Sequence, residues 1–153
     1  MLSKVYSETE KRNTPPTEAS KRRGTRLIQW PCKLSLVPPL APYLFGADLV
    51  IAADCSAYAA MSSFPELARD CVTLIGCPRL EGGAVFEKLS RILRNNPPRS
   101  LKLIRLETDC CAATEAAVLS ALRESECRLP LEITTVSTSG EIIGKKILYD
   151  SLQ

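Results

Sequence analysis

The sequence predicts an α/β fold of three layers, in which helices cover both faces of a mainly parallel sheet. Residues 49–53 and 72–75 are runs of apolar or β-branched residues without the polar alternation of a half-exposed strand, and residues 101–106 form a third, mostly apolar segment that includes Lys102 and Arg105. Such runs are typical of strands covered on both faces. Helical segments separate them, and this alternation favours parallel strands joined by right-handed crossovers.

Short apolar segments and prolines define the first half of the domain. Residues 33–37 predict a strand that Pro38 and Pro39 end, and Trp30 is predicted to be a packing anchor. The second strand is expected at residues 48–53. Residues 56–69 predict two short helices with a break at Ser62-Ser63 and Pro65 in the first turn of the second helix.

The second half alternates more regularly. After Glu81-Gly82-Gly83, the spacing of Val85, Leu89 and Ile92 predicts an amphipathic helix. The Glu-Gly-Gly segment matches neither dinucleotide nor P-loop glycine motifs, so we assign it to the helix N-terminus. A helix is expected at residues 112–125. Strands at 131–137 and 141–148, joined by a Ser-Gly turn, predict a C-terminal β-hairpin. The whole arrangement is Rossmann-like or flavodoxin-like.

Composition indicates one domain with a basic extension. Residues 1–28 are polar and aperiodic, which predicts a disordered arm, and residues 29–153 form the single α/β domain. Residues 1–29 carry seven Lys or Arg and three Glu, which gives this segment a net charge of +4. Since the whole chain has a net charge of +3, the remaining residues have a net charge of −1. The remainder is therefore not a basic nucleic-acid binder. With no bilayer-length apolar run and no signal peptide, we expect no membrane association and a cytoplasmic location.

Cysteines are the residues that point to chemistry. The chain has seven cysteines and no histidine, which excludes His-ligated zinc and Ser-His or Cys-His catalysis. Each of the three buried strands leads into thiols: Cys55, Cys77, and the pair Cys110 and Cys111. The carboxyl ends of parallel strands share one edge, where such folds bind ligands. We therefore expect these four thiols to meet.

Four thiolates are the donor set that iron–sulfur clusters and structural zinc use. The helix start at Cys110 and Cys111 also favours thiolates. The spacing alone leaves a metal-free site open, because the chain contains no CxxC pair. Cys32, Cys71 and Cys127 are expected only to pack. Asp48, Asp54 and Asp109 lie near strand ends as a conceivable acid–base set, although Asp48 fits a turn or cap better.

Six ordered segments give a resemblance to a known family. They are Gln29-Trp30-Pro31, residues 36–43, residues 46–55, residues 74–80, Asp109-Cys110-Cys111 and residues 137–142. Together they resemble the α/β domain that follows a ferredoxin-type domain in iron–sulfur proteins of anaerobic bacteria. The resemblance implies a Rossmann-like fold and an iron–sulfur association for Cys55, Cys77, Cys110 and Cys111. Residues 1–29 lack the cysteines of the ferredoxin module, and Ala112 and Ala113 replace two glycines of the family.

The leading hypothesis is a protein that holds an iron–sulfur cluster, or another thiolate-bound metal such as zinc, at Cys55, Cys77, Cys110 and Cys111. It would act in electron transfer with a redox protein, such as a ferredoxin or a ferredoxin-containing enzyme, rather than as an enzyme itself. One alternative is a metal-free thiol/disulfide redox protein. Another is a non-catalytic interaction domain whose cysteines only pack.

Overall fold

Five strands form a single sheet in the computed structural model, which describes residues 27–149. Their order across the sheet is β2-β1-β3-β4-β5. The first four strands are parallel, and β5 runs antiparallel to β4. The strands are β1 (Asp48–Ala52), β2 (Val72–Ile75), β3 (Ser100–Leu106), β4 (Leu131–Val136) and β5 (Ile142–Leu148). The predicted mainly parallel sheet with a C-terminal hairpin is confirmed.

Five α-helices connect these strands, and a 3-10 turn at Pro42–Leu44 precedes β1. The helices are α1 (Asp54–Ala59), α2 (Phe64–Leu67), α3 (Pro78–Glu81), α4 (Gly83–Asn95) and α5 (Asp109–Ser125). The predicted break between α1 and α2 is confirmed, with Pro65 in the first turn of α2. None of the helices between residues 27 and 149 is long and apolar enough to span a membrane.

Two apolar clusters, one on each face of the sheet, produce the three layers. Leu49 and Ile51 of β1 share one cluster with Leu89 of α4 and Leu122 of α5. Val50 and Ala52 point to the opposite face and pack with residues around α1 and α2. Because side chains alternate along a strand, β1 contributes to both clusters. This burial on both faces explains its continuous apolar sequence.

Two predictions for the first part of the domain are wrong. Residues 33–37 are not a strand: only Lys33 pairs with β2, at Ile75. The amides of Leu36 and Val37 turn back to donate to the Lys33 carbonyl, at 2.8 and 3.1 Å, so they cannot pair with β2. Trp30 is not a packing anchor, since it is 47% exposed.

The neighbouring Gln29 is buried in its place. Its side-chain Nε2 donates to the Thr73 carbonyl of β2 at 2.6 Å. Gln29, and not Trp30, therefore attaches this part of the chain to β2, because its polar side chain can bond to the backbone of the strand. The predicted arm at residues 1–28 lies almost entirely outside the described residues.

The hairpin turn between β4 and β5 approaches the end of α1 closely. Gly140 has a φ of +93°, and a Cβ atom at this position would clash with the carbonyl oxygen of Ala59. We expect Gly140→Ala to destabilise the protein by about 1–3 kcal/mol, from the left-handed backbone and the clash together. Urea unfolding monitored by circular dichroism measures the loss. Gly83→Ala is the matched control, since a Cβ there meets nothing within 4 Å; equal losses in both variants would contradict this account.

Asp48 ties β1 to β3 at the amino edge of the sheet. It accepts from Arg99 Nε at 3.0 Å and from Ser100 Oγ at 2.7 Å. These hydrogen bonds, led by that of Arg99, lower the pKa of Asp48 from 3.8 to about 2. The stabilisation is complete above the ordinary pKa and is lost as the pH falls through the lowered one.

Asp48→Asn should therefore be less stable than the parent at neutral pH but lose less further stability on acidification from about pH 4.5 to about pH 2. Urea midpoints at several pH values test this. Asp70→Asn, at an exposed position, should keep the parent's pH dependence. A parent-like pH dependence in Asp48→Asn would show that the ion pair with Arg99 does not contribute.

Candidate functional site

The three strands that lead into the selected cysteines are neighbours in the sheet. β1 lies between β2 and β3, with Ala52 opposite both Ile75 and Ile104. All three strands are parallel, so the loops that follow them leave the sheet at the same edge. Cys55 lies in the first turn of α1, Cys77 immediately precedes α3, and Cys110 and Cys111 lie in the first turn of α5.

The four thiols differ in exposure. Cys55 and Cys110 are exposed, Cys77 is half-buried and Cys111 is buried. Cys111 packs in the apolar cluster that includes Val50 and Leu106. Three thiols therefore face solvent to some degree, while the fourth belongs to the underlying core.

The thiols of all three loops contribute to the raised pKa of Cys55. Desolvation raises the pKa of Cys55, and negative charge on Cys111, Cys77, Asp54 and Cys110 raises it further. A charge acts in this way only over short range through protein and water. The strand order therefore brings the thiols into one electrostatic environment.

Hydrogen bonds favour the ionised form of Cys110. The Thr108 hydroxyl lies 3.2 Å from Cys110 Sγ. That hydrogen bond, with further ones from the Cys111 side chain and from the backbone amides of Cys110 and Cys111, lowers the pKa of Cys110. Free amides at a helix start stabilise a negative charge in this way.

The side chains are not arranged as a finished metal site. Within the described part of the chain, no three Cys, Asp or Glu side chains are grouped closely enough to hold a metal ion. The donor type nevertheless suits a thiolate-bound metal, since four thiols follow the ends of three adjacent strands. Metal binding here requires the three loops to draw closer together.

Lys33 and Glu81 join the site without having been predicted. Lys33 Nζ lies 2.7 and 2.6 Å from the two carboxylate oxygens of Asp54 and 3.2 Å from Glu81 Oε2. Glu81 Oε2 also accepts from the backbone amide of Cys77 at 2.9 Å. A lysine in a short apolar segment gives no sequence signal for partners that lie 21 and 48 positions further along the chain.

The three aspartates do not form an acid–base set. Asp48 lies at the amino edge of the sheet, opposite the thiols, because it begins β1. Asp54 is engaged by Lys33, and Asp109 is exposed at the start of α5. The prediction that Asp48 is a turn or cap residue is wrong, since it is the first residue of β1, where it forms an ion pair with Arg99.

Of the three remaining cysteines, Cys71 and Cys127 pack in the apolar clusters. Cys71 is buried, and Cys32 and Cys127 are half-buried. Burial raises the pKa of all three thiols. Neutral, shielded thiols are slow nucleophiles, so this group differs from Cys110 in reactivity.

Alkylation under native conditions tests this difference. Cys110 should react fastest with iodoacetamide near neutral pH, because its exposed thiol ionises most readily. Thr108→Val should slow its alkylation by about two- to fivefold by removing the hydroxyl hydrogen bond. Peptide mass spectrometry gives the rate at each cysteine, with Cys71 as the slow internal reference. If Cys110 reacts no faster than Cys127, the proposed activation by Thr108 is wrong.

Comparisons with known proteins agree with this architecture. A family model described as a Rossmann-like domain matches residues 41–153. An uncharacterized protein of Archaeoglobus fulgidus is 35% identical over 122 residues, which cover 78% of this chain and 86% of the archaeal protein. No solved structure matches the chain. On these grounds the chain belongs to the family of Rossmann-like domains.

Proposed function

We propose that this protein binds an iron–sulfur cluster, or another thiolate-bound metal, at the carboxyl edge of its sheet and takes part in electron transfer. The observation that carries the proposal is the strand order, which places Cys55 between the loops of Cys77 and of Cys110 and Cys111. The carboxyl edge where crossovers reverse direction is the general ligand position of open parallel sheets. Here that position carries thiols.

Cys55, Cys77, Cys110 and Cys111 are the residues we propose as ligands. The lowered pKa of Cys110 favours the thiolate that a metal requires. Cys111 extends from the apolar core, so a ligand there would be shielded from solvent on one side. A bound cluster would supply one-electron transfer, while the protein's own residues set its position and exposure.

The partner we propose is a redox protein, such as a ferredoxin or a ferredoxin-containing enzyme. This proposal rests on the resemblance of the chain to α/β domains that accompany ferredoxin modules. The excess positive charge of residues 1–29 would suit an acidic partner surface. A cytoplasmic location fits the same proposal, because reducing conditions keep free thiols available.

Metal content tests the proposal most simply. Protein purified without oxygen, or reconstituted with iron and sulfide, should contain iron and acid-labile sulfide in matching amounts and absorb near about 400 nm. Cys77→Ser should lose most of the iron while keeping the parent's circular dichroism spectrum. Cys127→Ser is the control, since this half-buried cysteine lies outside the proposed site. Retention of iron in Cys77→Ser, or loss in both variants, would contradict the assignment.

A metal-free thiol/disulfide function is the second candidate, and the exposed, readily ionised Cys110 favours it. In that mechanism the Cys110 thiolate attacks a disulfide of a partner protein and releases one partner thiolate. A second thiol, Cys55 or Cys77, then attacks the mixed disulfide, so that the partner gains two electrons and this chain gains one disulfide. Metal-free protein with a reversible two-electron potential that Cys110→Ser abolishes would favour this candidate over metal binding.

A further inference from the structure

A short segment ahead of the first strand adds a charged residue to the thiol edge. The amide of Ile75 donates to the Cys32 carbonyl, and the amide of Leu34 donates to the Ile75 carbonyl, both at 2.8 Å. These two bonds fix Lys33 beside the last residue of β2. Lys88 of α4 also bonds to this segment: its Nζ donates to the carbonyls of Leu34 and Ser35 at 3.0 and 2.9 Å.

Lys33 then connects two thiol loops through one ammonium group. Its contact with Asp54 reaches the residue immediately before Cys55. Its contact with Glu81 reaches a carboxylate oxygen that also binds the Cys77 amide. The chain of contacts therefore runs from the Cys55 loop through Lys33 to the backbone of Cys77.

The three charged side chains of this bridge are partly shielded from solvent, which strengthens their electrostatic attraction. The side chains of Lys33, Asp54 and Glu81 are 31%, 24% and 9% exposed. Burial opposes ionisation of Lys33, yet its hydrogen bonds to Asp54 and Glu81 raise its pKa overall. Burial opposes ionisation of Glu81, yet hydrogen bonds from the Cys77 amide and from the Ser35 and Lys33 side chains lower its pKa overall.

Gly76 leaves room for this arrangement. A Cβ atom at Gly76 would lie 3.2 Å from Glu81 Oε2 and 3.3 Å from Leu34 Cβ. Such distances are shorter than comfortable packing permits. Glycine at position 76 therefore lets the Glu81 carboxylate lie close to the backbone between β2 and Cys77.

We propose that Lys33 is a positioning residue, which fixes the spacing between Cys55 and Cys77 by bridging Asp54 and Glu81. This inference rests on the proposed thiol site, of which those two cysteines are members. Lys33 acts through the two loops and contacts no sulfur. Its role is the same whether the thiols hold a metal or exchange disulfides.

Crosslinking measures the spacing without depending on a metal. In a Cys110→Ser, Cys111→Ala background, a short bismaleimide is added, and mass spectrometry gives the ratio of Cys55–Cys77 crosslinks to single adducts. Lys33→Met should lower this ratio by about fivefold or more, since the loops separate without the shared cation. Lys33→Arg, which keeps the charge and reaches both carboxylates, should restore most of it. Lys146→Met is the matched control and should leave the ratio unchanged, because this lysine pairs with Glu115 from β5, at the edge of the sheet away from β2.

Glu81→Gln provides a second variant if Lys33→Met does not fold. It preserves side-chain size but removes one of the two charges that Lys33 bridges, so the ratio should fall by about two- to threefold. An unchanged ratio in folded Lys33→Met, or an equal loss in Lys146→Met, would overturn the proposal, as would the absence of Cys55–Cys77 crosslinks in the background protein. A Lys33-dependent ratio in protein that binds no iron would support the positioning role and refute only the metal function.

Discussion

The central constraint on this molecule is the position of β1 between β2 and β3 in a parallel sheet. The chain leaves β1 through α1 and α2 on one face, then returns past β1 through α4 on the other face. Right-handed crossovers require this change of face when the direction across the sheet reverses. The reversal sends the loops after β1 and β3 to opposite faces of the sheet, and this point of the carboxyl edge is the general ligand position of such folds. Cys55 follows β1 and the Cys110-Cys111 pair follows β3 at this point, while Cys77 follows β2 on the other side of β1.

Charge and burial give the thiols of this edge different properties. Cys110, at the start of a 17-residue helix, gains hydrogen bonds that favour its thiolate, whereas desolvation and the nearby thiols disfavour ionisation of Cys55. Because these pKa shifts have opposite directions, we expect the Cys110 thiol to ionise more readily than the Cys55 thiol. The ion pairs of Lys33 add a connection between two of the loops. Together these features explain why we place the chemistry at this edge and not at the amino edge, where Asp48 has a stabilising role.

Local patterns in the sequence were sufficient for most elements. Apolar runs predicted β1 and β3, Pro65 predicted the division between α1 and α2, and the cysteines that follow the strands defined the candidate site. The pairing of Lys33 with Ile75, and its ion pairs, depend on contacts between distant residues, which periodicity does not encode. Residues 33–37 have the composition of a strand, but their amides turn back to the Lys33 carbonyl. Trp30 failed as a packing anchor for a related reason, since hydrophobicity cannot reveal that Gln29 binds the edge of β2 instead.

The three thiol loops must act as one site if this edge binds a metal or exchanges disulfides. Protection of the thiols from alkylation by Cd²⁺ tests this directly. Cd²⁺ binds thiolates without redox chemistry, so it reports convergence whichever function is correct. The anaerobic protein is titrated with Cd²⁺, and alkylation at each cysteine is followed by mass spectrometry. We predict that Cys55, Cys77 and Cys110 become protected together, at the same Cd²⁺ concentration, while Cys32 and Cys127 keep their rates. Protection confined to one loop, or equal protection of Cys32 and Cys127, would contradict a shared site.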